Sequence, residues 1–300
     1  MSDKFTKILI SLDHMPDDQL NYWVAKFILE VRKEDGSMYP PKTVFALVMG
    51  VQSHLRLNSG RDVNFLNSDK YLQLQQVLDS EMKRLSNKGL QLRSKKADVL
   101  SASDEDKLWS CKALGDYNAK VLVRTVHYLN GKNFALRGGQ EHRRLRYRPA
   151  QITVHDAESG SRAYLKYTED VSKINQGGLK HRKLNPKTVT HYANLVCPER
   201  CHVRIYVKYM EMSPKDGRDD MFYLQPLQRE RQNIWYSRQP IGVNTLATFT
   251  REACQKAGLT GYYTNHSLRA TTATRLFAEG VDEQLIMART GHRSVEGTFS

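Results

Sequence analysis

Cysteine is scarce in this chain. The 300 residues hold four, Cys111, Cys197, Cys201 and Cys254, at irregular spacing, which excludes a disulfide framework. Cys197, Cys201 and His202 lie close together, but no second ligand pair follows at finger-like spacing, so no metal site is expected. Long apolar runs are lacking too. The opening MSDKFTKILISLDHMP has too short an apolar stretch for a secretory leader, and nothing later is long enough to span a bilayer, so an intracellular protein is expected. Internal repeats and low-complexity tracts are absent. Acid is the minority charge: 32 Asp and Glu stand against 46 Lys and Arg, for a formal net charge of +14. That imbalance points to a polyanionic partner, and nucleic acid is the commonest. What is present suffices for real cores, since 40% of the residues are hydrophobic, and the length suits two domains or one large one.

The first hundred residues read as helices. Leu20, Trp23, Val24, Phe27, Ile28 and Val31 share one helical stripe, which stops at Asp35-Gly36. Pro40 and Pro41 suit a helix start, with Val44, Leu47, Val48, Val51 and Leu55 as the next stripe. A weaker stripe runs through Tyr71, Leu74, Leu78, Met82 and Leu85. These make a small bundle over residues 1–88. Residues 89–101 read as a basic linker: Lys83 to Lys96 carries six Lys or Arg and no acid. The second domain, 102–300, opens with a capped helix at Ser-Ala-Ser-Asp-Glu and continues with a helix from about Ala119 to Leu129. Gln151 to His155 and Arg162 to Tyr167 alternate as a β hairpin about Glu158-Ser159-Gly160-Ser161. After about Asn185 the pattern is mostly helical again.

Chemistry concentrates in TNHSLRATTATRLF, Thr264 to Phe277, and in the closing TGHRSVEGTFS. Taken alone, a His-x-x-Arg pair on a helix is usually a surface pair. Here Asn265 or Thr264 can cap the helix, which puts His266 and Arg269 in its first turn, where free backbone N–H groups favour a phosphate. Leu268, Ala273, Leu276 and Phe277 are expected to face the core. A second helix follows, capped by Asp282 and built on Leu285, Ile286 and Met287, with Gly291 at its C-cap position and His292 next.

HSLR, a helix, TGH and then a short S-V-E-G helix start resemble the C-terminal half of the tyrosine recombinases. The wording NHSLRATTATRLFAEGVDEQLIMARTGHRSVEG is similar to the crypton-type recombinases, and to the crypton-derived DUF3504 domain of the zinc-finger MYM-type and glutamine-rich 1 proteins. The resemblance is strong from about residue 100 onward and looser over the N-terminal helices. It implies a mostly α fold with a small antiparallel β-sheet (α+β), made of a helical core-binding bundle and a recombinase-like catalytic domain.

The family also needs an earlier Arg and a Lys. Arg137 in FALRGGQEHRRL follows an apolar helix and opens another, as the pattern requires. Lys173 in DVSKINQGG is the lysine chosen; Lys166 falls inside the strand. By resemblance, Arg137 and Arg269 hold the attacked phosphate bidentately, and His266 and His292 hydrogen-bond it or take a proton. Lys173 protonates the departing 5′ oxygen. A Tyr forms a 3′-phosphotyrosine link that conserves bond energy, so no cofactor, metal or small-molecule substrate is implied. Counted from His292, the family's Tyr falls just beyond Ser300, and no Tyr occurs after Tyr263. A fragment of a longer chain is therefore expected; the alternatives are a chain that grips DNA without cutting it, or a Tyr supplied by another protomer. The expected partner is double-stranded DNA, embraced by both domains and touched by Lys95, Lys96, Arg143 and Arg144, with a homo-oligomer (tetramer) on the DNA, no membrane and a nuclear location. Two readings stand: a strand-breaking recombinase of a mobile element, and a domesticated DNA- or chromatin-binding module without catalysis.

Overall fold

The computed structural model describes residues 12–90, 96–157, 162–170, 186–231 and 233–291. The chain divides into two compact units, Met1–Lys95 and Lys96–Ser300.

The first unit is built on α1 (Asp17–Glu30), α2 (Pro41–Leu57) and α3 (Leu72–Asn87). Leu20, Val24 and Ile28 of α1, Val44, Val48 and Leu55 of α2, and Leu74, Leu78 and Leu85 of α3 form one buried core with Phe65 and Tyr71. These are positions four or seven apart, so each helix presents one apolar stripe. Helix α1 stops earlier than its stripe predicts. It ends at Glu30, Val31 turns extended, and Asp35-Gly36 forms a separate turn in which the Ser37 N–H donates to Asp35 Oδ1 at 2.8 Å. Asp17 ties the bundle together by accepting from Arg61 Nη2 at 2.8 Å, Lys70 Nζ at 3.0 Å and the Tyr71 hydroxyl at 2.8 Å.

The second unit is arranged around α5 (Ala119–Asn133), which is buried along most of its length. Helices α7 (His202–Glu211), α8 (Val243–Lys256) and α9 (Asn265–Ala278) pack on it. The unit also contains α4 (Ala102–Ser110), α6 (Gly138–Arg144) and α10 (Glu283–Thr290). Ser101 caps α4 through a reciprocal pairing with Asp104. Strands β1 (Ile152–His155), β2 (Tyr164–Thr168) and β3 (Thr188–Tyr192) form an antiparallel sheet in that order, with Ile152 opposite Tyr167 and Leu165 opposite His191. A separate ribbon pairs β4 (Leu224–Arg231) with β5 (Ile234–Pro240).

The fold is mostly helical with two small antiparallel sheets. Three strands lie in the part of the sequence expected to be helical, β3 and the β4–β5 ribbon. The turn 158–161 of the expected hairpin lies outside the described residues. Phe277 was expected in the core and is 52% exposed, whereas Leu268 and Ala273 are buried. Among the described residues no helix is long and apolar enough to cross a membrane.

Candidate functional site

Helix α5 delivers the first arginine. Beyond its last residue, Asn133, come Phe134 and Ala135, and Ala135 takes a left-handed φ of 51°. Arg137 follows in extended backbone as the residue that caps α6. Its N–H donates to Glu141 Oε2 at 2.6 Å, and its Nη2 donates to the Gly291 carbonyl at 2.9 Å. Glu141 also lies 3.7 Å from Arg137 Nη1, so the guanidinium is held from two sides.

Helix α9 delivers the second. Thr264 caps it: its Oγ1 accepts from the His266 N–H at 3.2 Å, and its own N–H donates to Ser267 Oγ at 3.0 Å. The buried Asn265 side chain donates to the Leu246 carbonyl at 3.0 Å and accepts from Thr250 Oγ1 at 2.9 Å, which pins the start of α9 to α8. Arg269 therefore stands at the start of the second turn of a fixed helix and is only 5% exposed. Burial, and next the nearby Arg137 charge, push its pKa down to about 10. It remains a cation at neutral pH, in a place that favours an anion. His266 is exposed, and its ring lies over the start of α6: a Cβ at Gly138 would come within 3.0 Å of Nε2.

A third cation stands here that sequence reasoning missed. Lys187, just before β3, sends its Nζ to the Phe134 carbonyl at 2.8 Å and the Ala135 carbonyl at 3.5 Å. Burial pushes its pKa down to about 8, with Glu141 working against that shift. Gly291 closes the arrangement. It ends α10 at φ 71°, and its Cβ position lies 3.8 Å from Lys187 Cδ and 4.0 Å from Arg269 Nη2. The Gly of TGH thus lies against the two arginines and the lysine.

The structure brings Arg137, His266 and Arg269 to one place. Lys173, His292 and Lys95 lie outside the described residues. Lys166 is exposed on β2 between buried Leu165 and Tyr167. Arg143 and Arg144 end α6, the first half-buried and the second exposed, and Lys96 is exposed. An open cavity of about 560 Å³ adjoins the site, lined among others by Arg137, Arg144, Arg146, Glu169, Asp170 and His266. Asp170 is engaged by Arg146 at 2.5 Å. Planar guanidiniums and an imidazole around one opening, with Arg269 and Lys187 close behind Arg137, suit a phosphate group. Among the described residues no group of three metal-ligating side chains occurs, and the Cys197 thiol donates to Glu199 at 2.8 Å.

Residues 99–254 match the family described as Domain of unknown function (DUF3504), and residues 3–85 match the QRICH1 domain. Zinc finger MYM-type protein 2 of Homo sapiens is 28% identical over 260 residues, which cover 82% of this chain and 18% of that protein. Zinc finger MYM-type protein 3 of Mus musculus is 30% identical over 234 residues, 74% of this chain and 17% of that one. Transcriptional regulator QRICH1 of Mus musculus is 29% identical over 236 residues, 74% of this chain and 29% of that one. The chain thus spans less than a third of the length of these relatives. Among solved structures, XerH site-specific recombinase bound to palindromic difH substrate overlays with a TM-score of 0.48 and 14% identity, covering 94% of this chain and 72% of that one. The Tn1549 transposon integrase in complex with transposon right end DNA overlays with a TM-score of 0.48 and 12% identity, covering 96% of this chain and 81% of that one. With its match across just over half of the sequence, the chain belongs to the DUF3504 domain family.

Proposed function

We propose that this chain binds duplex DNA and seats one backbone phosphate against Arg137 and Arg269. The observation that carries the reading is the convergence of Arg137, Arg269 and Lys187 beside an open cavity, with Arg269 only 5% exposed. Like charges buried together repel, and a phosphate is the group that relieves them. The formal net charge of +14 supports the same partner at the scale of the whole chain. Three relatives bear names that fit a nuclear, DNA-associated setting, two zinc finger proteins and a transcriptional regulator. The proposed role is therefore a DNA-binding module of a nuclear regulator, descended from a crypton-type recombinase. Lys95, Lys96, Arg143 and Arg144 would touch neighbouring phosphates.

The second reading is strand cleavage through a 3′-phosphotyrosine link, on DNA held by a homo-oligomer (tetramer). It is favoured by one observation, the His266 ring lying at the opening that Arg137 lines. It would use Lys173 as the acid and His292 as a further phosphate contact, with a Tyr supplied from beyond these residues.

Fluorescence anisotropy with a 30-base-pair duplex tests the first reading. Affinity should fall about a thousandfold between about 50 and 200 mM salt, as expected for a grip made mostly on phosphates. Arg269→Ala should weaken binding modestly. Salt-independent binding, or none, would sink the proposal. A nicked suicide duplex incubated with a chain extended to include the Tyr separates the two readings. A covalent complex that Arg269→Ala abolishes supports cleavage, and its absence leaves the binding module.

A further inference from the structure

The turn that precedes Arg137 is held from below by a half-buried lysine. Lys187 is fixed to the end of β2 by its backbone: its N–H donates to Glu169 Oε2 at 3.2 Å, and its carbonyl accepts from the Glu169 N–H at 2.8 Å. The side chain then passes the Tyr167 ring, with Nζ 5.6 Å from the ring centre, and ends on the Phe134 and Ala135 carbonyls. Those carbonyls sit at the C-terminal end of α5, where the helix leaves acceptors unpaired and a cation is favoured. Phe134, Ala135 and Leu136 are fully buried, so water does not substitute for the ammonium there.

Ala135 is the second half of the argument. Its φ of 51° lies in the left-handed region that residues with a Cβ avoid. Such a residue stays in place when its surroundings over-determine it. Here the surroundings include one ammonium bonded to the carbonyls on both sides of the Ala135 φ and ψ rotations. Two residues later the chain becomes Arg137, whose direction depends on this turn. The charged groups around Lys187 come from every element packed on it: Glu141 of α6, Glu169 after β2, Arg269 of α9, and Arg137 itself.

We propose that Lys187 is a positioning residue of the phosphate grip, clamping the Phe134 and Ala135 carbonyls in the left-handed turn and so fixing the direction in which Arg137 leaves α5. The purpose rests on the DNA-binding reading above; the clamp itself rests on the turn alone.

Two readouts on the full chain keep these apart. One is hydrogen–deuterium exchange of the peptide spanning Phe134 to Gly138. The other is anisotropy with the same duplex. Lys187→Met keeps the apolar stem and removes the donors. It should raise exchange in that peptide while the first half of α5 stays protected. Duplex binding should weaken about tenfold, the loss expected from one misplaced charge-assisted contact. Lys187→Arg, which retains donors, should keep most of both. The deciding variant adds Ala135→Gly to Lys187→Met, because glycine takes a positive φ without help. It should restore protection and binding at least in part, which a plain packing role for the lysine would not predict. Unchanged exchange in Lys187→Met, or no rescue by Ala135→Gly, overturns the clamp. If Lys187→Met does not fold, folding of the double variant supports the proposal and its failure to fold overturns it. If the wild-type chain binds no duplex, the DNA reading fails while the exchange arm still decides the clamp.

Discussion

At the scale of single residues, buried charge is used here in two ways. Glu105 of α4 shows the structural use. Its carboxylate is 12% exposed and is gripped by Lys132 of α5 and by Arg275 of α9, the latter at 2.6 Å. Arg275 also donates to the carbonyls of Leu100 and Ser101, at 3.1 and 3.0 Å. Burial works to raise the Glu105 pKa, and the two cations outweigh it, so the carboxyl is held below its usual range. Three elements thus meet at one carboxylate. Glu105→Gln leaves two buried cations without their anion, and should destabilise the unit by about 3 kcal/mol, the cost typical of breaking one side of a buried pair. A urea titration at neutral pH checks this, and a midpoint unchanged from wild type would show that water matches those cations instead. At the Arg137 site three cations, Arg137, Arg269 and Lys187, stand near the carboxylates of Glu141 and Glu169 and beside an open cavity, the arrangement on which the DNA-binding proposal rests. His266 and Arg269 were legible in the sequence because they follow a recognisable cap at the start of α9, and Arg137 because the family resemblance calls for an arginine between two helices. Lys187 was not, since nothing in its neighbourhood, LNPKTVT, signals its role. What makes it matter is the carbonyl end of a helix more than 50 residues upstream, against which only the fold places it.

At the scale of elements, the position of the site depends on how closely α9 lies on α5. Gly131 sets that distance. A Cβ there would stand 2.5 Å from Leu268 Cδ1, 3.3 Å from Leu268 Cβ and 3.2 Å from His142 Nε2. Leu268 precedes Arg269, so any separation of the helices moves the guanidinium directly. Gly131→Ala gains about 1 kcal/mol of helix propensity, yet the crowding should outweigh it for a net loss of about 1–2 kcal/mol. Urea midpoints measure the sign, and a more stable Gly131→Ala variant would mean that α9 can step aside freely. The helices were legible because they carry three- and four-residue apolar periods, a proline start at Pro40-Pro41 and caps at Ser101, Thr264 and Asp282. Strand β3, TVTHY, is too short for its alternation to stand out, with Val189 its one fully buried side chain. The β4–β5 ribbon was hidden by its composition, since Pro226 and a polar run weaken any strand pattern. Phe277 was misjudged because periodicity gives a stripe its angle but not its end. By that turn of α9 the neighbouring helices no longer cover it.

At the scale of the whole molecule, the two units should respond differently to acid. His127, His142 and His202 lie fully buried in the Lys96–Ser300 unit. A chain of bonds joins two of them: His202 Nε2 to Asn130 Oδ1 at 2.9 Å, Asn130 Nδ2 to the Tyr223 hydroxyl at 2.8 Å, and Tyr223 to His142 Nδ1 at 3.0 Å. His127 stacks on His142 at 3.9 Å, and neither of its ring nitrogens has a hydrogen-bond partner among the described residues. Burial, above all, holds the pKa of each histidine well below its usual value, for His142 down to about 3. The unfolded chain takes up these protons near pH 6.5, and the folded one does not until the pH is far lower. Below about pH 6.5 the unfolded state therefore binds more protons, and stability falls as the pH falls. Each histidine contributes about 1.4 kcal/mol per pH unit, so the three together give about 4. Two units of acidification then approach the total stability of an ordinary domain. In the Met1–Lys95 unit the described histidines, His14 and His54, are exposed. The carboxylate of Asp17, held low first by its bond from Lys70, titrates only in stronger acid. Hydrogen exchange at pH 5 should show the amides of α5 losing protection while those of α3 keep it. His127→Phe keeps the ring against Phe249, which it meets edge-on at 5.3 Å, and removes one titrating group. It should be about neutral in stability at pH 7.5 and lower the slope below pH 6.5 by about 1.4 kcal/mol per unit. An unchanged slope would place the acid response elsewhere in the molecule.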